Sequence, residues 1–111
     1  HRSVMKALLT FPNVSFIQQD GDTVNVKVNE AFEVDLQGAP EGLTWVASKD
    51  KVLDVYDDGT NAAINALDKG TSRVLLLDAN DQPQFRLTFV VFDPEEGAGF
   101  DVPDPVTEPI Q

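Results

Sequence analysis

Side chains equipped for chemistry are scarce in this sequence, and the acids are the most numerous of them. Asp78, Asn80 and Asp81 share one loop, and Asp57 and Asp58 share another. Hard cations take several carboxylate and carbonyl oxygens from such loops. A structural calcium ion is therefore the one metal these residues suggest, with Asp78, Asn80 and Asp81 as its candidate ligands. Their spacing does not match an EF-hand loop. Asp and Asn are also ordinary turn formers, so plain turn chemistry is the competing reading. Paired carboxylates can serve as general acid and base. Here, however, the acids fall in turns and at outward strand positions, where solvation explains them.

Nucleophilic catalysis has little to work with. His1 is the only histidine, and it stands at the terminus. The chain has no cysteine. Cys–His pairs, disulfides and thiolate metal sites are excluded, and the redox compartment cannot be read. A Ser–His–Asp triad would have to recruit His1. The expectation is a protein that is not an enzyme and needs no cofactor beyond the calcium candidate.

Composition sets further bounds. The 111 residues suit one domain, and 41% hydrophobic content is enough to bury a core. Nineteen acids against eight bases give a formal charge of −11. Binding to nucleic acid or anionic lipid needs clusters of Lys and Arg, so neither is expected. The acidity favours solubility or a basic partner surface. No apolar run approaches the roughly 20 residues of a membrane span. Val4 to Phe11 is short for the core of a signal peptide. The chain begins at His1 rather than Met, which fits a processed product, a domain of something longer or a tag remnant.

The elements that would position any site are strands. Apolar residues alternate with polar ones from about Val14 to Phe92. Val24, Val26 and Val28 share one face, as do Phe32, Val34 and Leu36. Leu43 with Trp45, Leu53 with Val55, and Ala62, Ile64 and Ala66 follow the same rule. Val74 with Leu76, and Phe85, Leu87, Phe89 and Val91, form the last two inward faces. Breaker clusters separate these runs at Asp20-Gly21-Asp22, Gly38 to Gly42, Asp57-Asp58-Gly59, Lys69-Gly70 and Asn80 to Pro83. Short strands at regular spacing indicate an antiparallel sandwich or barrel. Trp45 reads as core, facing Phe32, Leu76 and Phe89.

Several residues fall outside one apolar face. Leu75 and Leu77, and likewise Val90 and Phe92, point away from the core, and a second apolar face has to be covered. The N-terminal segment would cover it through Leu8, Leu9 and Phe11, or a protein partner or second copy would do so. Tyr56, beside the Asp57-Asp58-Gly59 turn, is a further contact candidate. Arg73 and Arg86 are outward and suit weak pairing with surface acids. Residues 93–111 carry four prolines and six acids but no base, which suits an extended tail rather than a core.

The stretch Val24-Asn25-Val26-Lys27-Val28, Trp45 with Ser48 and Asp50, Val52 to Val55, Gly59 and Ala66 to Val74 resembles the bacterial Ig-like domain of the second group. Intimin-type adhesins and phage structural proteins carry such domains. The resemblance covers about residues 23 to 92 and departs from the family where Asn29 replaces its usual Gly. It implies binding or scaffolding, with no catalytic residues. Gly42-Leu43-Thr44-Trp45 also has the outline of a loop in chagasin-type inhibitors of papain-like cysteine proteases. The other two loops of that family have no clear counterpart at Asp58-Gly59 or Asp78 to Gln84.

The combined expectation is an all-β, antiparallel Ig-like β-sandwich of about seven strands. It has an N-terminal arm over residues 1–12, the sandwich over 13–92 and an acidic, Pro-rich tail over 93–111. The expected role is structural or interactive, on a virion (a phage capsid decoration or tail component) or at a bacterial cell surface.

Overall fold

The computed structural model describes residues 5–95. Nine strands in two facing sheets account for most of them. β1 (Lys6–Thr10), β2 (Ser15–Gln19), β4 (Ala31–Gln37), β6 (Leu53–Asp58) and β7 (Asn61–Ala66) form a five-stranded sheet in the order β2-β1-β4-β7-β6. β3 (Thr23–Lys27), β5 (Thr44–Ala47), β8 (Gly70–Leu77) and β9 (Pro83–Phe92) form a four-stranded sheet in the order β3-β9-β8-β5. The chain is thus an all-β sandwich, with two more strands than expected. All pairings are antiparallel except β3 with β9, which run parallel with Val24 opposite Phe89 and Val26 opposite Val91.

Both extra strands come from the N-terminal segment. The expected arm over residues 1–12 is corrected here: Lys6–Thr10 is an interior strand, paired on one side with β2 and on the other with β4. Ala7 and Leu9 are fully buried, and Phe11 follows them into the core. The segment therefore does not cover Leu75, Leu77, Val90 and Phe92. It belongs to the opposite sheet, where Leu8 points outward beside Ile17.

Alternation places the core. The inward faces of β4, β7, β8 and β9 are buried throughout. An aromatic train crosses between the sheets at one end: Phe16 stacks on Phe11 at 5.1 Å, Phe11 on Phe32 at 4.6 Å, and Phe32 meets Phe89 at 5.2 Å. Trp45 fills the other end, edge-on to Phe85 at 6.3 Å and opposite Leu76 in register. Of the expected neighbours Leu76 is its register partner, and Phe85 supplies its ring contact. Asn29, standing where the resembling family carries Gly, has φ of 71°. Asn tolerates this left-handed conformation better than most residues.

The sandwich is closed along both sides. On one side the turn at Gly21 carries the chain from β2 in one sheet to β3 in the other, with Thr88 N–H donating to the Asp22 carbonyl at 2.9 Å. On the other side β5 and β6 lie together. Trp45 N–H, on the free edge of β5, donates to Asp57 Oδ1 of β6 at 3.0 Å. Trp45 Nε1–H donates to the Thr60 carbonyl at 3.2 Å, and Leu36 N–H reaches the same oxygen at 3.0 Å. A side-chain carboxylate thus satisfies one backbone donor on this edge of the four-stranded sheet.

Asp57→Ala is expected to cost about 1–3 kcal/mol, the range for orphaning a partly buried donor. Asp57→Asn, which retains the acceptor oxygen, is expected to cost less. Urea unfolding of the three proteins checks this: equal midpoints for Asp57→Ala and the parent would show that the contact contributes nothing.

Candidate functional site

Once each strand is assigned to its sheet, the outward side chains separate by charge. The outer face of the five-stranded sheet carries Glu33, Asp35, Asp54 and Asp58 with one base, Lys6. The strands of the four-stranded sheet turn Lys27, Arg73 and Arg86 and no acid to its outer face, although the turn carboxylates of Asp20 and Asp78 border it through bonds to Arg86 N–H and Gln84 Nε2. On a chain with nineteen acids and eight bases, that is a marked segregation.

The register orders this second face into cross-strand rows. Lys27 stands opposite Phe92. Asn25, Val90 and Thr71 make the next row, followed by Thr23, Thr88 and Arg73. Arg86, Leu75 and Val46 come next, and Leu77 lies beside Thr44 at a bulge near the β8–β9 hairpin. Val46, Leu75, Leu77, Val90 and Phe92 are all half-buried. The four apolar candidates from the sequence therefore share a sheet face but form two patches. The polar row through Arg73 and Thr88 divides them. Lys27, Arg73 and Arg86 make no ion pair among the described residues, so the expected pairing with surface acids is absent there. Asp20 Oδ1 accepts from the Arg86 backbone N–H at 2.9 Å, which sets one carboxylate at the rim of this face.

Tyr56 is not part of this surface. It lies on the opposite sheet, in register with Ala63, and is 57% exposed. Its hydroxyl donates to Asp54 Oδ2 at 2.6 Å. That hydrogen bond, and then the negative charge behind it, hold the phenol's ionisation above its ordinary value. A raised folded-state pKa stabilises the fold below the ordinary phenol pKa, and the contribution is lost as pH rises through the folded value. Tyr56 is the only tyrosine, so an ultraviolet titration reads it alone. Asp54→Asn is expected to move the midpoint down towards that of a free tyrosine, and an unchanged midpoint would count against the contact.

The turn acids organise their own backbone. Asp78 Oδ1 accepts from the N–H groups of Asn80 and Gln82 at 2.8 and 2.9 Å, and Oδ2 accepts from Gln84 Nε2 at 2.9 Å. Asp81 stands at φ 60°. Both Asp78 oxygens thus already serve the β8–β9 hairpin. Among the described residues no group of three or more His, Cys, Asp or Glu side chains is placed to hold a metal. Asp57 and Asp58 diverge, the first to the Trp45 edge and the second to the outer face.

Residues that resembled family motifs turn out to shape the backbone. Ser48 and Ser72 extend the β5–β8 ladder past its end: Lys49 N–H donates to Ser72 Oγ at 3.1 Å and Arg73 N–H to Ser48 Oγ at 2.9 Å. In the Gly42-Leu43-Thr44-Trp45 loop, Leu43 and Trp45 are both buried. Beside that loop, Pro40, Leu43, Asp78 and Gln84 line an open groove of about 350 Å³. At the opposite end, Phe11, Pro12, Val14, Asn25, Lys27 and Glu30 line another of about 230 Å³. Within it Glu30 Oε1 accepts from the Lys27 N–H at 3.0 Å.

Searches against protein-family models, curated proteins and solved structures return no match to this chain. No helix among the described residues is long and apolar enough to cross a membrane.

Proposed function

We propose that this chain is a non-enzymatic interaction module that docks through the outer face of its four-stranded sheet. The observation that carries this reading is the charge segregation. Lys27, Arg73 and Arg86 stand among half-buried apolar side chains on a sheet face whose strands contribute no acid, with Asp20 and Asp78 at its rim. Arginine stems pack over apolar neighbours while their guanidinium groups remain available, a combination common at protein interfaces. The partner chemistry that fits is an acidic polypeptide surface with some apolar content.

Size bears on the setting. Four strands about 4.8 Å apart, with roughly six residues of about 3.4 Å each, present roughly 400 Å². A contact of that size buries about 800 Å² over both partners, less than the ~1,200 Å² of a stable pair. Single contacts would then be weak, and many copies on a repetitive surface would gain by multivalency. A virion shell or a bacterial cell surface supplies such repetition, and the resemblance to Ig-like domains of adhesins and phage structural proteins points the same way.

Titrating the full chain with poly-L-glutamate of about twenty residues tests the docking reading. Amide shifts are expected at Arg73, Leu75, Arg86 and Val90 and not at Glu33 or Ala63. They should vanish in 0.5 M salt, where the Debye length is only about 4 Å. They should also vanish in Arg73→Glu/Arg86→Glu. If that face gives no saturable shifts, even after the acids beyond residue 95 are neutralised, the docking reading is wrong.

A further inference from the structure

We propose that two copies of this chain pair edge to edge through β2, antiparallel about a two-fold axis at Phe16, and join their five-stranded sheets into one. The pairing itself does not depend on the docking face described above.

The free backbone groups of β2 point to it. β2 is an edge strand with β1 as its one neighbour in the sheet. Phe11 N–H donates to the Val14 carbonyl at 2.8 Å, which closes the β1–β2 hairpin and fixes the alternation of its ladder. Phe16 and Gln18 therefore bond to β1, while Ser15, Ile17 and Gln19 turn their N–H and C=O groups to the open side. Asp22 takes both groups of Gln19: Oδ2 accepts from the Gln19 N–H at 2.8 Å, and Asp22 N–H donates to the Gln19 carbonyl at 3.1 Å. Ser15 and Ile17 have no such partner among the described residues.

The other three edges are defended. β6 carries Asp54, Asp57 and Asp58. β5 gives its Trp45 N–H to Asp57 at 3.0 Å, and β3 ends at Lys27, whose N–H is held by Glu30 Oε1 at 3.0 Å. Charges and caps of this kind keep sheet edges from pairing. β2 lacks them over Ser15 to Gln18. No charged residue stands between Lys6 and Asp20, the longest uncharged run in the sequence. Ile17 is exposed on this strand, in register with the outward Leu8.

A second copy fits the edge because the edge complements itself. With Phe16 opposite Phe16 of the second copy, each Ser15 faces the other copy's Ile17, and their free groups make four backbone hydrogen bonds. A register centred on Ile17 would need the Gln19 groups that Asp22 holds. The two Ile17 residues come to about 8 Å apart on the outer face, each flanked by its own Leu8. The Asp20–Asp22 turns lie at opposite ends, about 27 Å apart. The acids of β4 stay at least about 24 Å apart, five strand spacings and about three Debye lengths at physiological salt. The charge of −11 therefore opposes this contact only weakly.

An antiparallel edge pair has its two-fold axis normal to the sheet, so both four-stranded sheets lie on one side of it. On the docking reading above, the pair presents two faces of roughly 400 Å² each in the same direction, and a repetitive surface holds it by two contacts at once.

Sedimentation equilibrium of the full chain, without ligand, tests the pairing between about 10 µM and about 1 mM, since short interfaces assemble only towards the upper end. A monomer–dimer equilibrium is expected. Ile17→Lys should hold the chain monomeric throughout, although it lowers the net negative charge and so weakens general repulsion. Tyr56→Lys, at an exposed site on β6, should leave the dimer unchanged. Amide exchange of the parent reads the same edge without a substitution. Ser15 and Ile17 should exchange about tenfold more slowly where about nine copies in ten are paired, with no change at Val55 of β6. A parent that stays monomeric at the highest concentration, or that grows beyond a dimer, overturns the proposal. So does a dimer that Ile17→Lys leaves intact or that both variants weaken alike. Slow exchange of Ser15 and Ile17 that does not vary with concentration also overturns it. A monomeric result leaves the docking face standing, because no acidic ligand takes part.

Discussion

Deleting residues 1–10 abolishes cooperative unfolding of the domain. β1 occupies the interior of the five-stranded sheet, so its loss breaks two ladders at once and strands β2 away from β4. It also opens the core beside Phe11 and Phe32, where Ala7 and Leu9 are sealed from solvent. Removing one buried Leu side chain alone costs about 2–5 kcal/mol. The net stability of a domain this size is about 5–15 kcal/mol, and an entire interior strand exceeds that margin. Thermal circular dichroism is the measurement. A truncated chain that melts in a single sharp transition near the parent would show that the strand is dispensable. A gentler pair reads the same geometry: Leu9→Ala is expected to cost about 2–5 kcal/mol. Leu8→Ala, on the outward side of the same strand, is expected to cost well under half as much because its site is already partly hydrated.

Much of the rest of the sheet framework is legible in the amino-acid pattern alone. Val24 and Val26, Phe32 to Leu36, and Phe85 to Val91 alternate cleanly, and each apolar member is buried as its period requires. The N-terminal strands are hidden because their patterns are irregular. In β1, Leu8 and Leu9 are adjacent, so inward and outward positions look alike. In β2, Ile17 faces out at 39% exposure while Gln18 faces in. An apolar residue on the wet side and a polar one on the dry side cancel the period-2 signal. The parallel pairing of β3 with β9 leaves no local trace either, since Val24 and Phe89 are distant in sequence.

The candidate surface is half legible for a related reason. Alternation shows that Leu75, Leu77, Arg73 and Arg86 point outward, but not which outward residues become neighbours. Sheet membership decides that, because β4 and β6 carry their acids to one face while β3, β8 and β9 carry their bases to the other. Read along the chain, the charges are interleaved and look like an ordinary solvated exterior. Asp57 is a similar case. In sequence it is one of two turn acids. Its bond to Trp45 N–H exists only because β5 and β6, on different sheets, meet at the sandwich edge.

Phe32→Ala is expected to be the most costly single substitution, at about 3–5 kcal/mol. Phe32 is the middle of the aromatic train and touches rings on both sides, Phe11 from its own sheet side and Phe89 from the facing sheet. Its loss creates a cavity and removes two ring contacts that each contribute about 0.5–1.5 kcal/mol beyond burial. The site has little freedom to collapse, because β4 is held between β1 and β7 and Phe89 lies on an interior strand. Phe32→Leu restores much of the volume without the ring geometry, so it is expected to recover roughly half of the loss. Guanidinium unfolding, with the slope checked for constancy across the series, separates a stability change from a change in the unfolded ensemble. If Phe32→Leu were no better than Phe32→Ala, stacking rather than volume would hold the two sheets together at this end. If Phe32→Ala cost less than about 1 kcal/mol, the train would be incidental to the fold.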